Sequence, residues 1–197
     1  MTQHSISALT SASQAREGND PIFRLNSEAK ARAAAGESIL DATMGALMDD
    51  EGRIAVMPSV AEAIARVPTG KAAGYSPISG SPPFLDAVRR DLLGNSDLLP
   101  KSVAVTTPGG SGAIYQAIKN FVEPGHQALT TDYYWGPYPV IAQHLESDVS
   151  TFGMFSPDLS FDLEAMKRGI RQHIDTQGRL LLILNFPCHN PTGYSLD

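Results

Sequence analysis

The sequence predicts an α/β fold in which a mostly parallel sheet is flanked by helices. Apolar runs alternate with helix-length segments between residues 103 and 186, and this order is typical of parallel sheets. The run 180–184 is apolar at every position, as expected for a central strand that is covered on both faces. The 197 residues are 42% hydrophobic and 18% charged, which is an ordinary globular composition.

The N-terminal third predicts helices that are separated by turns. Residues 1–19 show little periodicity and predict a flexible arm. The alanine-rich segment 23–35 predicts a helix, which ends at Gly36. Residues 39–40 are strand-like, and 49–52 form an acidic turn. Pro58 suits the first position of a helix that runs to about residue 66.

The remainder predicts a loop, a helix and then alternating strands and helices. Pro77 and the flanking glycines keep residues 75–80 out of regular structure, and Pro82 and Pro83 open a helix over 84–93. Strands are predicted at 103–107, 127–131, 148–152 and 179–186, and helices at 111–121, 137–144 and 163–173.

Charge and cysteine content exclude several classes of protein. A net charge of −6 disfavours nucleic acid and anionic membrane surfaces as partners. Cys188 is the single cysteine, so the sequence offers no intrachain disulfide and no multi-cysteine metal site. No run approaches the roughly 20 apolar residues of a membrane span, and the start does not resemble a secretory signal. We expect an untargeted cytoplasmic protein without a bound metal.

The first candidate site follows the predicted strand 103–107. Glycines at the start of a helix let backbone N–H groups approach an anion, and the Ser111 hydroxyl adds a donor. The segment 107–112 is neither a nucleotide P-loop nor a dinucleotide fingerprint, because no Gly-Lys-Ser/Thr follows and Tyr115 replaces the third glycine. We expect a cradle for one isolated phosphate; the alternative is a glycine-rich turn without a ligand.

Two further candidate segments also follow predicted strands. Trp135, the single tryptophan, lies in an aromatic cluster and could stack on a planar ligand or belong to the core. Asn190 precedes Pro191, which favours an extended conformation that ends the strand and presents the amide, although Asn-Pro-Thr-Gly also makes a good turn. A phosphate cradle, a stacking ring and an amide donor together indicate pyridoxal phosphate.

At these segments the chain resembles the N-terminal half of the class I, fold-type I aminotransferases, within the aspartate and aromatic amino-acid branch. The resemblance covers residues 20–197 and is carried by three motifs in the family's order: Tyr-Ser-Pro-Ile-Ser-Gly at 75–80, Pro-Gly-Gly-Ser-Gly at 108–112 and Asn-Pro-Thr-Gly at 190–193. It implies amino-group transfer between an amino acid, aspartate or aromatic, and a 2-oxo acid.

The resemblance also implies a role for each matching residue. The cofactor phosphate would be bound by Gly109, Gly110 and Ser111, and by Tyr75 of a neighbouring subunit in a homodimer with a shared site. Trp135 would stack on the cofactor ring, and Asn190 would bind its phenolic oxygen; both would also touch substrate. The backbone of Gly45 would lie against substrate.

Two departures from the family pattern stand out. Tyr138 occupies a position where the aspartate branch commonly has a histidine, which puts in question the support of the group that pairs with the cofactor's pyridine nitrogen. The family is also about twice as long, and its Schiff-base lysine, pyridine-nitrogen aspartate and carboxylate-binding arginine lie in the part not matched here. The five lysines of this chain match no cofactor-linking position and predict surface residues: Lys30, Lys71, Lys101, Lys119 and Lys167.

We therefore expect no catalytic residue in this chain, which would be part of a longer enzyme and inactive alone. The resemblance divides it into the arm 1–19, a segment 20–70 contributing to the small domain and interdomain region, and an incomplete cofactor-binding α/β domain at 71–197. The alternatives are another fold-type I enzyme such as a carbon–sulfur lyase, a non-catalytic aminotransferase-like module, and a structural remnant without a ligand.

Overall fold

The computed structural model describes residues 8–14, 21–43 and 45–196. The chain divides into two compact units, Met1–Gly74 and Tyr75–Asp197. Most of the arm predicted at 1–19 lies outside the described residues, and within its described part Ser11–Gln14 (α1) forms one helical turn. No helix of the described residues has both the length and the apolar run needed to cross a membrane.

The first unit contains the predicted helices. Pro21–Ala34 (α2) is followed by Gly36 at a φ of 91°, and Pro58–Ala65 (α3) has its proline in the first turn. The short helix Thr69–Ala72 (α4) has no counterpart in the predictions. The acidic turn is present, because residues 48 and 54 pair in an antiparallel bridge around it. The predicted strand-like piece at 39–40 has no strand pairing.

The second unit alternates helices and strands in the predicted order. Each helix begins next to a proline, a glycine or a capping aspartate, and α8 ends at Gly178 in the left-handed conformation. The elements are Pro82–Leu93 (α5), Gly109–Phe121 (α6), Gln127–Thr131 (β1), Pro137–Gln143 (α7), Asp148–Phe152 (β2) and Leu163–Gln177 (α8). A 3-10 turn at Leu99–Lys101 precedes α6.

Strand β1 is the middle of the sheet. It pairs in parallel with β2, in a register that joins Gln127 to Asp148 and Thr131 to Phe152. On its other side, Leu129 forms a parallel bridge to Leu182, with backbone hydrogen bonds of 2.9 Å to residues 181 and 183. The parallel arrangement and the flanking helices confirm the predicted fold class.

The side chains of β1 alternate between two helical layers. Ala128 is fully buried with Tyr138 of α7 and Ile183, and Ile114 of α6 packs against them. On the opposite face α8 approaches closely at Gly169, where an added Cβ would lie 3.0 Å from Leu129 Cδ2. Helices on both faces of β1 therefore bury the strand from Ala128 to Thr131.

Two predicted strands do not form as expected. Residues 103–107 carry no strand pairing, and Val103 is 93% exposed. Residues 179–186 make a single bridge, so this segment lies at the edge of the sheet rather than at its centre, and Leu184 is exposed. Both segments have a composition that favours strands, but a strand also requires a neighbouring strand with which to pair. Among the described residues, the segment 179–186 has β1 as its neighbour, and the segment 103–107 has no neighbouring strand.

Candidate functional site

A cavity of about 530 Å³ opens beside the carboxyl end of the segment that pairs with β1. Its walls come from the first turns of α6, from the aromatic segment after β1 and from the end of the apolar run. The lining residues are Gly110, Ser111, Ala113, Ile114, Trp135, Tyr138, Ile183, Leu184, Asn185, Phe186 and Asn190. This is the position where open α/β sheets bind ligands.

The start of α6 forms the polar wall of the cavity. Gly109 has a φ of 69°, and its N–H donates to the Thr107 carbonyl at 2.8 Å. Pro108 precedes the helix without a side-chain cap, so the N–H groups of Gly110 and Ser111 have no acceptor within the helix. Gly112 allows the tight turn, because a Cβ there would lie 2.6 Å from Pro108 Cδ. The geometry favours an anion at this helix end.

Aromatic rings form the apolar wall. Trp135 meets the ring of Tyr138 edge-on, with centroids 5.6 Å apart and an interplanar angle of 79°. Tyr138 is 3% exposed, and the ring of Tyr134 lies nearly parallel to it, with centroids 6.3 Å apart. Burial raises the pKa of Tyr138, and a hydrogen bond with Asn185 opposes part of that rise. Tyr138 is therefore an uncharged ring that packs edge-on against Trp135.

Asn190 reaches the cavity from a compact loop at residues 187–193. The peptide bonds before Pro187 and Pro191 are both cis. The Gly193 N–H donates to the His189 carbonyl at 2.6 Å, and the His189 N–H donates to the Tyr194 carbonyl at 2.8 Å. These bonds close the loop, and Asn190 lies within it.

The structure brings four of the predicted site residues together: Gly110, Ser111, Trp135 and Asn190 all line the cavity. The other three do not line it. Gly109 directly precedes the lining residues, Tyr75 belongs to the same unit and is fully exposed, and Gly45 belongs to the first unit. The roles of these three residues stay predictions.

The sequence analysis missed two polar features of the cavity. Asn185 lies at the end of the apolar run, where the rule that ligands bind beyond strand ends could have identified it. Tyr138 was noted only as a departure from a family pattern. Its position one helical turn after Trp135 could have indicated that the two rings share a surface.

The donor set fits a planar, singly phosphorylated molecule. Backbone N–H groups and the Ser111 hydroxyl lie on one wall, and no atom lies within 4 Å of a Cβ built on Gly110, so a phosphate could approach the backbone there. An aromatic ring and an amide line the other walls. None of the five lysines lines the cavity.

The family described as aminotransferase class I and II matches residues 37–197. Over 181 residues the chain is 28% identical to an aromatic-amino-acid aminotransferase of Paracoccus denitrificans, covering 90% of this chain and 45% of that protein. It is 28% identical over 193 residues to an aspartate aminotransferase of Pseudomonas aeruginosa, with the same coverage of 90% and 45%.

Solved structures give the same result for the fold. An aminotransferase from Anaerococcus prevotii has a TM-score of 0.85 at 31% identity, covering 97% of this chain and 47% of that chain. A broad-specificity aminotransferase from Leishmania mexicana has a TM-score of 0.73 at 27% identity, and the match covers 97% of this chain and 48% of that chain. The chain spans about half the length of the relatives it matches.

Proposed function

The chain belongs to the class I and II aminotransferase family, and from this premise we propose that its cavity is part of a pyridoxal-phosphate site. The enzyme would transfer an amino group between an amino acid and a 2-oxo acid. One observation carries the proposal: three segments that lie far apart in the sequence line one cavity, with Gly110 and Ser111 from the first, Trp135 from the second and Asn190 from the third.

Each wall has a distinct part in binding the cofactor. The N–H groups at the start of α6 and the Ser111 hydroxyl hold the phosphate, which the helix dipole favours. Trp135 stacks on the ring and keeps water away from one face. The Asn190 amide donates a hydrogen bond to the phenolic oxygen and favours its anionic form. Bound pyridoxal phosphate supplies the electron sink for breaking bonds at the amino-acid Cα.

The substrates we propose are aspartate or an aromatic amino acid together with a 2-oxo acid. The names of the relatives support this choice. Gly45, Trp135 and Asn190 would contact the substrate. We further propose a cytoplasmic homodimer with a shared site, in which Tyr75 reaches the cofactor phosphate of the neighbouring subunit. The full exposure of Tyr75 leaves its hydroxyl available for such a contact.

The proposal does not place the catalytic lysine in this sequence. All five lysines lie in the described part of the chain, and none lines the cavity. We propose that the amine that would bind the cofactor's aldehyde belongs to the half of the relatives that this chain does not match. We expect the 197-residue chain to bind the cofactor without turnover.

The test is an assay of the protein produced from its complete reading frame. With pyridoxal phosphate and 2-oxoglutarate present, we expect glutamate to form only when an amino donor such as aspartate or phenylalanine is added. In a parallel assay with cystathionine as the amino acid, formation of pyruvate, ammonia and a thiol, without glutamate in either assay, would indicate the carbon–sulfur lyase alternative. Absence of both products together with saturable cofactor binding would indicate a non-catalytic module.

Asn190→Ala provides the matching test at one residue. Loss of its hydrogen bond to a charged oxygen is expected to weaken pyridoxal-phosphate binding by about tenfold or more. The measurement is a titration followed by the fluorescence of Trp135, the single tryptophan. Asn120→Ala is the control, because the Asn120 amide bonds Gln116 along α6 and does not line the cavity. Equal affinities in the two variants would remove Asn190 from the site.

A further inference from the structure

His189 differs from the rest of its loop. It is 2% exposed, whereas its neighbours Cys188 and Asn190 are both exposed. It does not line the cavity. A buried imidazole in an otherwise exposed loop costs free energy unless its nitrogens are satisfied, so the partners of those nitrogens indicate what the residue does.

Both ring nitrogens of His189 have hydroxyl partners, one in its own loop and one at the end of β1. Nδ1 lies 2.9 Å from Thr192 Oγ1, within the loop itself. Nε2 lies 3.2 Å from Oγ1 of Thr131, the last residue of β1. The Thr131 hydroxyl donates to the Tyr133 carbonyl, so its oxygen is left to accept from Nε2–H. The backbone of Tyr133 also hydrogen-bonds with the imidazole, and in the neutral tautomer that carries its proton on Nε2, Nδ1 accepts from the Thr192 hydroxyl.

The backbone of His189 closes its own loop. Its carbonyl accepts from Gly193 and its N–H donates to Tyr194, so that Asn190 lies in a ring of hydrogen bonds anchored at this residue. The imidazole of His189 also packs against the ring of Phe186, with centroids 5.6 Å apart. Movement of the imidazole would therefore move Asn190.

The other partner lies at the start of the segment that leads to Trp135. Thr131 is paired with Phe152 of β2, and the next residue, Asp132, donates its N–H to the Phe152 carbonyl at 2.8 Å. The Asp132 carboxylate accepts from the N–H groups of Tyr133 and Met154 at 3.1 and 2.9 Å. This segment is fixed to the sheet at one end and carries Trp135 at the other. A single imidazole therefore joins two segments that are 58 residues apart at their contact.

We infer that His189 is a positioning residue that holds the loop of Asn190 against the end of β1 and so keeps Asn190 and Trp135 at a fixed separation across the cavity. The consequence for cofactor binding rests on the proposed function. The inference that His189 holds two segments together does not depend on the proposed function.

The first measurement is amide hydrogen exchange in the full chain without ligand, on wild type and His189→Asn. We expect about tenfold faster exchange in both segments, 131–136 and 187–194, because their shared contact is lost. His173→Asn is the matched control. His173 is similarly buried, and its nitrogens contact Ser150 and the Gly169 carbonyl at 2.6 and 2.8 Å, away from both segments. Unchanged exchange in either segment, or equal acceleration in the control, would overturn the inference.

The second measurement is titration of the same proteins with pyridoxal phosphate, followed by Trp135 fluorescence. His189→Asn is expected to bind about tenfold more weakly, and His173→Asn as wild type does. Equal binding by the two variants would show that His189 does not position the cofactor groups. If wild type does not bind at all, the proposed function fails, and hydrogen exchange still decides the role of His189.

Thr192→Val keeps the inference testable if His189→Asn does not fold. Thr192 is exposed, and this change removes the hydroxyl that donates to Nδ1 while leaving the imidazole in place. Faster exchange in 187–194 and weaker cofactor binding are expected. Wild-type behaviour in both measurements would count against the inference.

Discussion

Gly80 is buried at a point where the backbone leaves no room for a side chain. Its φ is +105°, and a Cβ would lie 1.8 Å from Thr106 Oγ1. The same threonine is bound to Ser79, through its N–H at 2.8 Å and its hydroxyl at 2.9 Å. The loop motif at 75–80 is therefore fixed against the extended segment 103–107 by these contacts, and glycine makes the close approach possible.

Gly80→Ala is expected to lower the free energy of unfolding by at least about 2 kcal/mol, from backbone strain and the clash with Thr106. Urea denaturation measures the loss. Gly153→Ala is the control, because Gly153 has no positive φ and no atom within 4 Å of an added Cβ. Similar midpoints for both variants would contradict the explanation.

His189 predicts a specific dependence of stability on pH. Burial lowers its pKa below the ordinary value of 6.5, and a backbone hydrogen bond at Tyr133 opposes part of that shift. The unfolded chain therefore binds more protons than the folded chain in a window just below pH 6.5. Stability rises with pH through this window and is fully present above it.

His189→Asn removes this contribution. The difference in free energy of unfolding between wild type and the variant is expected to shrink as pH falls from about 7.5 to about 5, with a slope of no more than about 1.4 kcal/mol per pH unit. Urea denaturation at several pH values gives the difference directly, and the other titrating groups cancel in it. A constant difference would show that the folded imidazole titrates normally.

Helix α8 is held by features at both ends and at its middle. The Asp162 side chain accepts from the Ala165 N–H at 2.7 Å, and Gly178 closes the other end with a φ of 73°. His173 joins the middle of the helix to Ser150 of β2. The helix therefore covers one face of the sheet because its ends are defined locally and its position is fixed by a buried contact.

Asp162→Ala is expected to cost about 1 kcal/mol of stability, because the first turn of α8 loses its cap. Asp162→Asn keeps an acceptor and loses only the interaction of the charge with the helix dipole, so its cost should be a few tenths of a kcal/mol. Thermal or urea denaturation distinguishes the two. A loss from Asp162→Asn as large as that from Asp162→Ala would mean that charge, rather than the cap, stabilises the helix end.

The second unit exposes a segment with strand-like composition and no strand partner. Val103 and Val105 are both exposed, and the described residues form no ladder with residues 103–107. An extended segment that belongs to no ladder and carries exposed apolar side chains is a template for pairing with another chain. We therefore expect the isolated chain to self-associate through this segment.

Val105→Lys is expected to weaken self-association by about tenfold, since a charge on an open strand edge opposes pairing. Sedimentation velocity over a range of concentrations measures the change. Leu159→Lys is the control, because Leu159 is equally apolar and exposed but lies in the loop between β2 and α8. If both substitutions weaken self-association equally, the change in net charge rather than the segment 103–107 would explain the effect.

Much of the molecule was predictable because its signals are local. The helices follow prolines, glycines and capping residues that act within a few positions of the helix end, and α2, α3, α5 and α8 begin close to where the sequence places them. The candidate site was predictable in part for a related reason. Ligand-binding segments follow strand ends, and the segments after three predicted strands contain Ser111, Trp135 and Asn190, although only the segment of Trp135 follows a strand of the structure.

The sequence alone determined the fold class, the positions of the longer helices and four residues of one cavity, because each depends on local periodicity or on a motif. The tertiary structure decided which apolar runs become strands, since the ladder of β1 needs a partner that no local pattern supplies. The tertiary structure also decided which residues hold the cavity-lining side chains in place. The contact of His189 with Thr131 and the burial of Tyr138 against Ala128 and Ile183 join segments that only folding brings together.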